Sequence, residues 1–149
     1  MSLQEITKLR EMTGAGMMDC KNALDEAQND LDKAAEILRK KGIVKAAKRA
    51  DKVAAEGMTL VKADGDVAVI AEVNCETDFV AKNDEFQKMV ETLVNHLLKV
   101  QPSSLAEAMQ SKMEDGKTVD EFITGYSGKI GEKISLRRFK TLKKQAGEV

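Results

Sequence analysis

Asp78 and Phe79, in the run Asn74-Cys75-Glu76-Thr77-Asp78-Phe79-Val80-Ala81-Lys82-Asn83, set a carboxylate beside a large ring where a strand pattern gives way to a helical one. Such a pair suits the anchoring of a partner, because buried aromatics are frequent hot spots of binding energy. The ring is also scarce: the 149 residues include four Phe, one Tyr and no Trp. A second reading stays open, in which Phe79 caps the protein's own core. Met17 and Met18 raise the same choice. Two adjacent long apolar side chains at a helix start cannot both face a small core, so one is expected to point outward. Flexible thioethers suit adaptable binding surfaces, though exposed Met also occurs at frayed helix starts. Arg10 and Lys21 flank this pair in sequence, giving an apolar spot a charged rim, the anatomy of a contact patch.

Residues for covalent chemistry are few. His96 is the single histidine and sits among Leu93, Val94, Leu97 and Leu98, which reads as a structural or surface histidine rather than a general base. Cys20 and Cys75 lack the paired spacing of a zinc site. Gly14-Ala15-Gly16 resembles the start of a phosphate loop, but the third glycine of G-x-G-x-x-G falls on Asp19, and no strand pattern precedes it. The Walker pattern fails too, since no Gly precedes Lys21. Carboxylates are abundant without a pairing that distinguishes acid–base chemistry from helix surface. The expectation is a protein that is not an enzyme and needs neither metal nor cofactor.

Composition points to a soluble globular protein rather than a disordered one. Hydrophobic content of 42% with 33% charged residues describes an ordinary globular chain. No apolar run reaches the roughly 20 residues that span a bilayer, and Met1-Ser2-Leu3-Gln4-Glu5-Ile6 lacks a basic region followed by an apolar core, so a cytoplasmic protein is expected. Two cysteines suit free buried thiols in a reducing compartment. With a net charge of -1 there is no global attraction to nucleic acid or membranes. Two basic clusters exist, Arg39, Lys40, Lys41, Lys45, Lys48, Arg49 and Lys52, then Arg137, Arg138, Lys140, Lys143 and Lys144. Neither is interleaved with aromatics able to stack on bases, and both read as solvated faces.

The elements that must position these residues follow from periodicity and caps. Ser2 with Glu5 forms a capping box before Leu3, Ile6 and Leu9 at helical spacing, and Thr13-Gly14-Ala15-Gly16 ends that helix. A second helix carries Cys20, Ala23, Leu24 and Ala27, with Asp19 in its first turn where the helix dipole favours negative charge. Asn29-Asp30 breaks it, and Asp30 caps a third helix with Leu31, Ala34, Ala35 and Leu38 that is expected to end at Gly42. Ala- and Lys-rich residues 43–56 read as a helical linker. From Met58 to Val73 two β-branched runs flank Asp64-Gly65, a hairpin signal in which Gly supplies a positive φ. Residues from about Val80 to Lys99 return to helical spacing, with Phe86, Met89, Val90, Leu93, Val94, Leu97 and Leu98 on one face, closed by Gln101-Pro102. Ser103 or Ser104 with Glu107 opens a short helix, and Thr118 with Glu121 repeats the capping box. A last strand over Lys133 to Leu142 places Ile134, Leu136 and Arg138 on one face and Ser135, Arg137 and Phe139 on the other. The resulting fold class is α+β: a three-helix bundle and linker over residues 1–54, then over 55–149 a three-stranded antiparallel sheet packed with helices.

Four stretches in order give the chain a family likeness. Leu9-Arg10-Glu11-Met12-Thr13-Gly14-Ala15-Gly16-Met17-Met18-Asp19-Cys20-Lys21 closely resembles the N-terminal signature of bacterial elongation factor Ts, the nucleotide exchange factor for elongation factor Tu. Arg39-Lys40-Lys41-Gly42 with the Ala-Lys stretch through Gly57, the run from Glu72 to Asn83, and Lys129 to Phe139 look like that family in the same order. Residues from about Pro102 to Gly128 carry no clear signal. The resemblance implies that the N-terminal bundle is UBA-like and docks on the nucleotide-binding domain of the GTPase elongation factor Tu through positions matching Arg10, Met17, Met18 and Lys21. It implies further that Asp78 and Phe79 supply a second contact, the ring wedging between helices of the GTPase and disturbing the region that holds magnesium, and that Ile130 and Gly131 match another contact. Longer members carry a second core half after the segment matching Ile130 to Glu132, while shorter ones pair as homodimers, so a homodimer is a further expectation. The C-terminal strand bears on it, since apolar Leu136 and Phe139 are expected on opposite faces, one of them needing cover from a second copy or from Leu105 to Met109, Phe122 and Ile123. A ribosome- or nucleic-acid-associated protein and an adaptor that leaves nucleotide affinity unchanged are the alternative classes; no direct nucleic-acid or membrane contact is expected.

Overall fold

A computed structural model describes residues 2–145. Its elements run α1 (Leu3–Thr13), α2 (Met17–Glu26), α3 (Leu31–Lys48), β1 (Glu56–Asp64), β2 (Val67–Cys75), α4 (Asp78–Ala81), α5 (Asp84–Val100), α6 (Leu105–Gln110), α7 (Val119–Ile130) and β3 (Ser135–Lys143). The architecture is the expected α+β one, three N-terminal helices followed by a three-stranded antiparallel sheet with helices. Two compact units divide the chain, residues up to Asp51 with Thr124–Glu132, and Lys52–Ile123 with the residues from Lys133 onward. The division falls within α7.

In the first unit the caps act as their residue types require. Ser2 and Glu5 close a reciprocal capping box at α1, and Asp30 accepts from the Lys33 backbone N–H at 3.1 Å at the start of α3. Gln28 and Asn29 turn the chain between α2 and α3 with φ of 53° and 65°, left-handed values that Asn tolerates better than most residues. Ile6, Leu9, Cys20, Ala23, Leu24, Ala27, Ala34 and Leu38 form one buried cluster. Its alanines keep the helices close, while each buried Leu contributes roughly 1.5–3 kcal/mol through area removed from water. One expectation fails here: α3 does not end at Gly42 but continues to Lys48, and no separate linker helix follows. A single glycine inside a helix costs only about 1 kcal/mol, which the flanking Ala, Lys and Arg can absorb.

The second unit is built on a hairpin. β1 pairs with β2 from Glu56↔Cys75 to Asp64↔Val67, so the two loop residues are Gly65 and Asp66, one position later than expected, with φ 57° at Gly65. Gly57 is required for a different reason. Its φ is 145°, and a Cβ there would lie 2.1 Å from the Val73 carbonyl oxygen on the neighbouring strand. Strand order is β1-β2-β3, and α5 packs on β1 and β2. Val69, Ala71 and Val73 are buried on the covered face together with Phe86, Met89, Val90, Leu93, Val94 and Leu97 of α5. The helix expected from Val80 is in fact two: Thr77 caps the four-residue α4, and Asn83 caps α5, its side chain accepting from the Glu85 N–H.

β3 corrects the expected alternation. Val73 pairs with Leu136 and Glu72 with Arg138, so Arg137 is the extra residue of a bulge. A bulge reverses the facing of every residue beyond it relative to simple alternation. Phe139 consequently lies opposite Ala71 on the covered face, the same face as Leu136, and the opposite-face argument for a second copy fails. The open face instead shows Val61, Ile70 and Leu142, each more than a third exposed. Both cysteines are free and buried. Among the described residues, no helix is long and apolar enough to cross a membrane.

Candidate functional site

The β2 exit is held from several directions, and this sets Phe79. Cys75 is buried and its thiol donates to the Thr77 carbonyl at 3.2 Å, while Asn74 beside it is also buried. Glu76 accepts from the Lys133 backbone N–H at 2.8 Å, tying the exit of β2 to the entry of β3. Thr77 then caps α4, its hydroxyl accepting from the Val80 N–H at 3.3 Å. On this braced turn Phe79 is 83% exposed, the most exposed of the large apolar side chains described. It therefore does not cap the core. Asp78 is exposed as well and lies 3.7 Å from Lys82, one turn along, an ion pair too open to hold it firmly. The order of the residues explains the ring's direction: Val80 and Ala81, on the other sides of a single helical turn, are both half-buried.

Around Gly14 the first unit assembles a second patch. Gly14 ends α1 in the left-handed conformation, φ 69°, and its N–H reaches the Arg10 carbonyl at 2.7 Å. Met17 and Met18 begin α2 at 50% and 64% exposure. Both point into solvent, where one was expected to. Met17 shares a helix face with Cys20 and Leu24, but it is in the first turn, beyond the reach of the buried cluster. Met12, which the sequence reading did not single out, is 49% exposed at the other side of the turn. Its signal was present as a third methionine within six positions of Met17 and Met18, but helical spacing alone did not show it to be uncovered. Arg10 and Lys21 are exposed beside these methionines in sequence.

Ile130 and Gly131 join that unit through the end of α7. The Lys129 side-chain carbons lie 3.1–3.6 Å from where a Cβ on Gly14 would stand, so the aliphatic stem of Lys129 rests on the bare glycine. Gly131, with φ 87°, donates to the Ser127 carbonyl at 2.8 Å, and the same carbonyl accepts from Arg49 at 3.2 Å. The buried Ser127 hydroxyl donates to the Glu132 carbonyl at 2.6 Å. Arg10, Met17, Met18, Lys21, Ile130 and Gly131 thus belong to one unit, whereas Asp78 and Phe79 belong to the other.

His96 is buried in α5, its Nε2 2.8 Å from the Ser111 hydroxyl. That hydroxyl spends its own proton on the Ala108 carbonyl at 2.6 Å, so it accepts from His96 and is not a poised nucleophile. Burial, reinforced by the nearby positive charge of Lys99, pushes the His96 pKa below its ordinary value, consistent with a neutral clip between α5 and the end of α6. Burial likewise raises the pKa of the Cys20 thiol, disfavouring the reactive thiolate. Among the described residues no three His, Cys, Asp or Glu side chains converge as a metal site would require.

Part of each basic cluster is engaged. Lys41 pairs with Glu26 at 2.8 Å, Lys45 with Asp19 at 3.1 Å and Lys40 with Glu36 at 2.9 Å. On the open face of the sheet Glu72 accepts from Arg138 at 2.9 Å and lies 3.8 Å from Arg137; a hydrogen bond from Asn74, then those to arginine, hold its carboxyl below the usual range. Exposed apolar surface includes Phe79 in one unit and Met12, Met17 and Met18 in the other. Its aromatic component lies in the part of the chain that has a match among known families: residues 76–149, which include Asp78, Phe79, Ile130 and Gly131 and run through the 102–128 stretch that carried no sequence signal, match the family model described as Elongation factor TS.

Proposed function

We propose that the chain is a member of the elongation factor Ts family and acts as a guanine nucleotide exchange factor for elongation factor Tu, in the cytoplasm, during translation elongation. The observation that carries this reading is Phe79, a ring exposed to 83% on a short capped helix whose base is tied down by Glu76, Cys75 and Thr77. A free apolar ring on a rigid mount loses little conformational entropy when it is buried by a partner. The Met17–Met18 patch, with Arg10 and Lys21, docks on the nucleotide-binding domain of the GTPase; Ile130 and Gly131 add a contact from the same unit. Phe79 then wedges between helices of the GTPase, with Asp78 beside it, and disturbs the region holding the GTPase's magnesium ion. Magnesium bridges the diphosphate oxygens, so loosening it removes a large favourable interaction with GDP. The chain itself makes and breaks no covalent bond and is not an enzyme. Exchange follows from binding the nucleotide-free state better than the GDP state, and linkage makes GDP weaken the factor's hold by the same ratio.

The open face of the sheet supports a second copy as an additional partner. Val61, Ile70 and Leu142 are exposed there on neighbouring strands, and Val61 pairs directly with Ile70. Sedimentation at micromolar concentration tests this: a dimer is expected that Ile70→Lys dissociates, and a monomer mass throughout rejects it. For the main reading the decisive experiment is the release of a fluorescent GDP from elongation factor Tu with and without the chain. Acceleration is expected at catalytic amounts and at moderate salt. An absence of acceleration despite binding would identify an adaptor, and binding that collapses steeply with salt would identify a nucleic-acid or ribosome-associated protein.

A further inference from the structure

β3 is an edge strand. The order β1-β2-β3 leaves it hydrogen-bonded on one side only, so one row of its N–H and C=O groups faces outward. A cleft of about 420 Å³ lies against it, lined by residues 137–141 on one wall and 102–105 on the other. Successive strand residues point to opposite faces of a sheet, so a cleft touched by five in a row belongs to neither face and follows the strand's edge. Among the described residues, no backbone hydrogen bond joins the two walls. Ser104, on the far wall, is extended, with φ −149° and ψ 163°.

Side chains along the cleft favour one kind of occupant. Arg137, Arg138 and Lys140 line it, Lys143 and Lys144 follow, and the sequence from Ser135 to Gln145 contains no acidic residue. Carboxylates also lie nearby: Glu72 holds Arg138 and approaches Arg137, Glu107 is held by the backbone N–H and hydroxyl of Ser103, and Asp66 adjoins Lys144, whose backbone N–H donates to its carbonyl. Lys140 forms no ion pair among the described residues. The apolar contribution comes from Leu105, 41% exposed, and the half-buried Phe139. We propose that this edge is a docking site for an extended acidic segment of another protein, which adds a strand beside β3, sets an apolar side chain against Leu105 and Phe139, and places its carboxylates by Arg137 and Lys140. Main-chain pairing supplies affinity in this mode of recognition, and pockets for alternate side chains supply selectivity. Single-stranded nucleic acid could use the same cations, but the edge offers no exposed ring on which bases would stack. The site is independent of Phe79 and of the methionine patch, and its success or failure leaves the exchange reading untouched.

The test uses the full chain and a fluorescein-labelled, amidated octapeptide of alternating Glu and Val. Saturable binding by anisotropy is expected, with backbone amide shifts confined to 102–105 and 137–141. The Arg137→Glu, Lys140→Glu double variant, whose altered side chains are exposed, is expected to bind about tenfold more weakly with an unchanged melting curve. The same peptide N-methylated at alternate amides, which removes the donors needed for strand pairing, is expected not to bind the unaltered protein. That arm does not depend on how the variant folds. Equal binding of the methylated peptide, shifts located elsewhere, no binding at millimolar peptide, or occupation of these residues by oligouridine in preference to the peptide would each overturn the proposal.

Discussion

Replacing Phe79 with Ala separates a binding ring from a core ring, because the structure assigns the two roles very different magnitudes. With the residue 83% exposed, about one-sixth of a side chain of roughly 200 Å² is covered, worth under about 1 kcal/mol at roughly 25 cal/mol per Å². Alanine's better helix propensity returns about half of that. The melting temperature should therefore move by less than about 3 °C. If the ring is buried by the GTPase, the uncovered remainder sets a ceiling of about 4 kcal/mol, and hot-spot truncations generally cost about 2 kcal/mol or more. Exchange should then slow by about 30- to 1000-fold below saturation. Stopped-flow release of fluorescent GDP from elongation factor Tu, read beside thermal melting by circular dichroism, decides the matter. Exchange at the parent rate would refute the wedge, and a melting temperature lowered by more than about 5 °C would show that the ring stabilises the fold.

Gly57→Ala should destabilise the chain by about 3 kcal/mol or more, since its Cβ would meet a backbone carbonyl rather than a movable side chain; a denaturant midpoint close to the parent's would contradict that. The neutral, buried His96 makes stability pH-dependent. Its folded pKa lies below the ordinary 6.5, so the unfolded chain takes up a proton first, and stability is intact above that pH and declines as pH falls below it. Thermal melts at about pH 7.5 and about pH 5.5 should show a loss that is smaller in His96→Gln, whose amide can still donate to Ser111; equal losses in both proteins would rule out His96 as the source.

Much of the local structure was legible in the sequence because its determinants lie within four residues of one another. The Ser2–Glu5 box, the Asp30 and Thr118 caps, the Asp64-Gly65 hairpin signal to within one residue, and the α5 stripe from Phe86 to Leu97 all depend on near neighbours, and all are present. The four ordered motifs named the candidate residues, Arg10, Met17, Met18, Lys21, Asp78, Phe79, Ile130 and Gly131, but not their exposure. Tertiary structure decided what local pattern could not. Whether Phe79 faced a core or solvent depended on where the sheet places its covered side. Which face Phe139 occupied depended on a bulge at Arg137, visible only once β3 is registered against β2. That Lys129 rests on Gly14 could not be read from either segment, since 115 residues separate them and no local energy relates the two. Helix caps and apolar stripes are written in short-range chemistry, whereas the choice of face, register and exposure is made by the pairing of segments far apart in the chain.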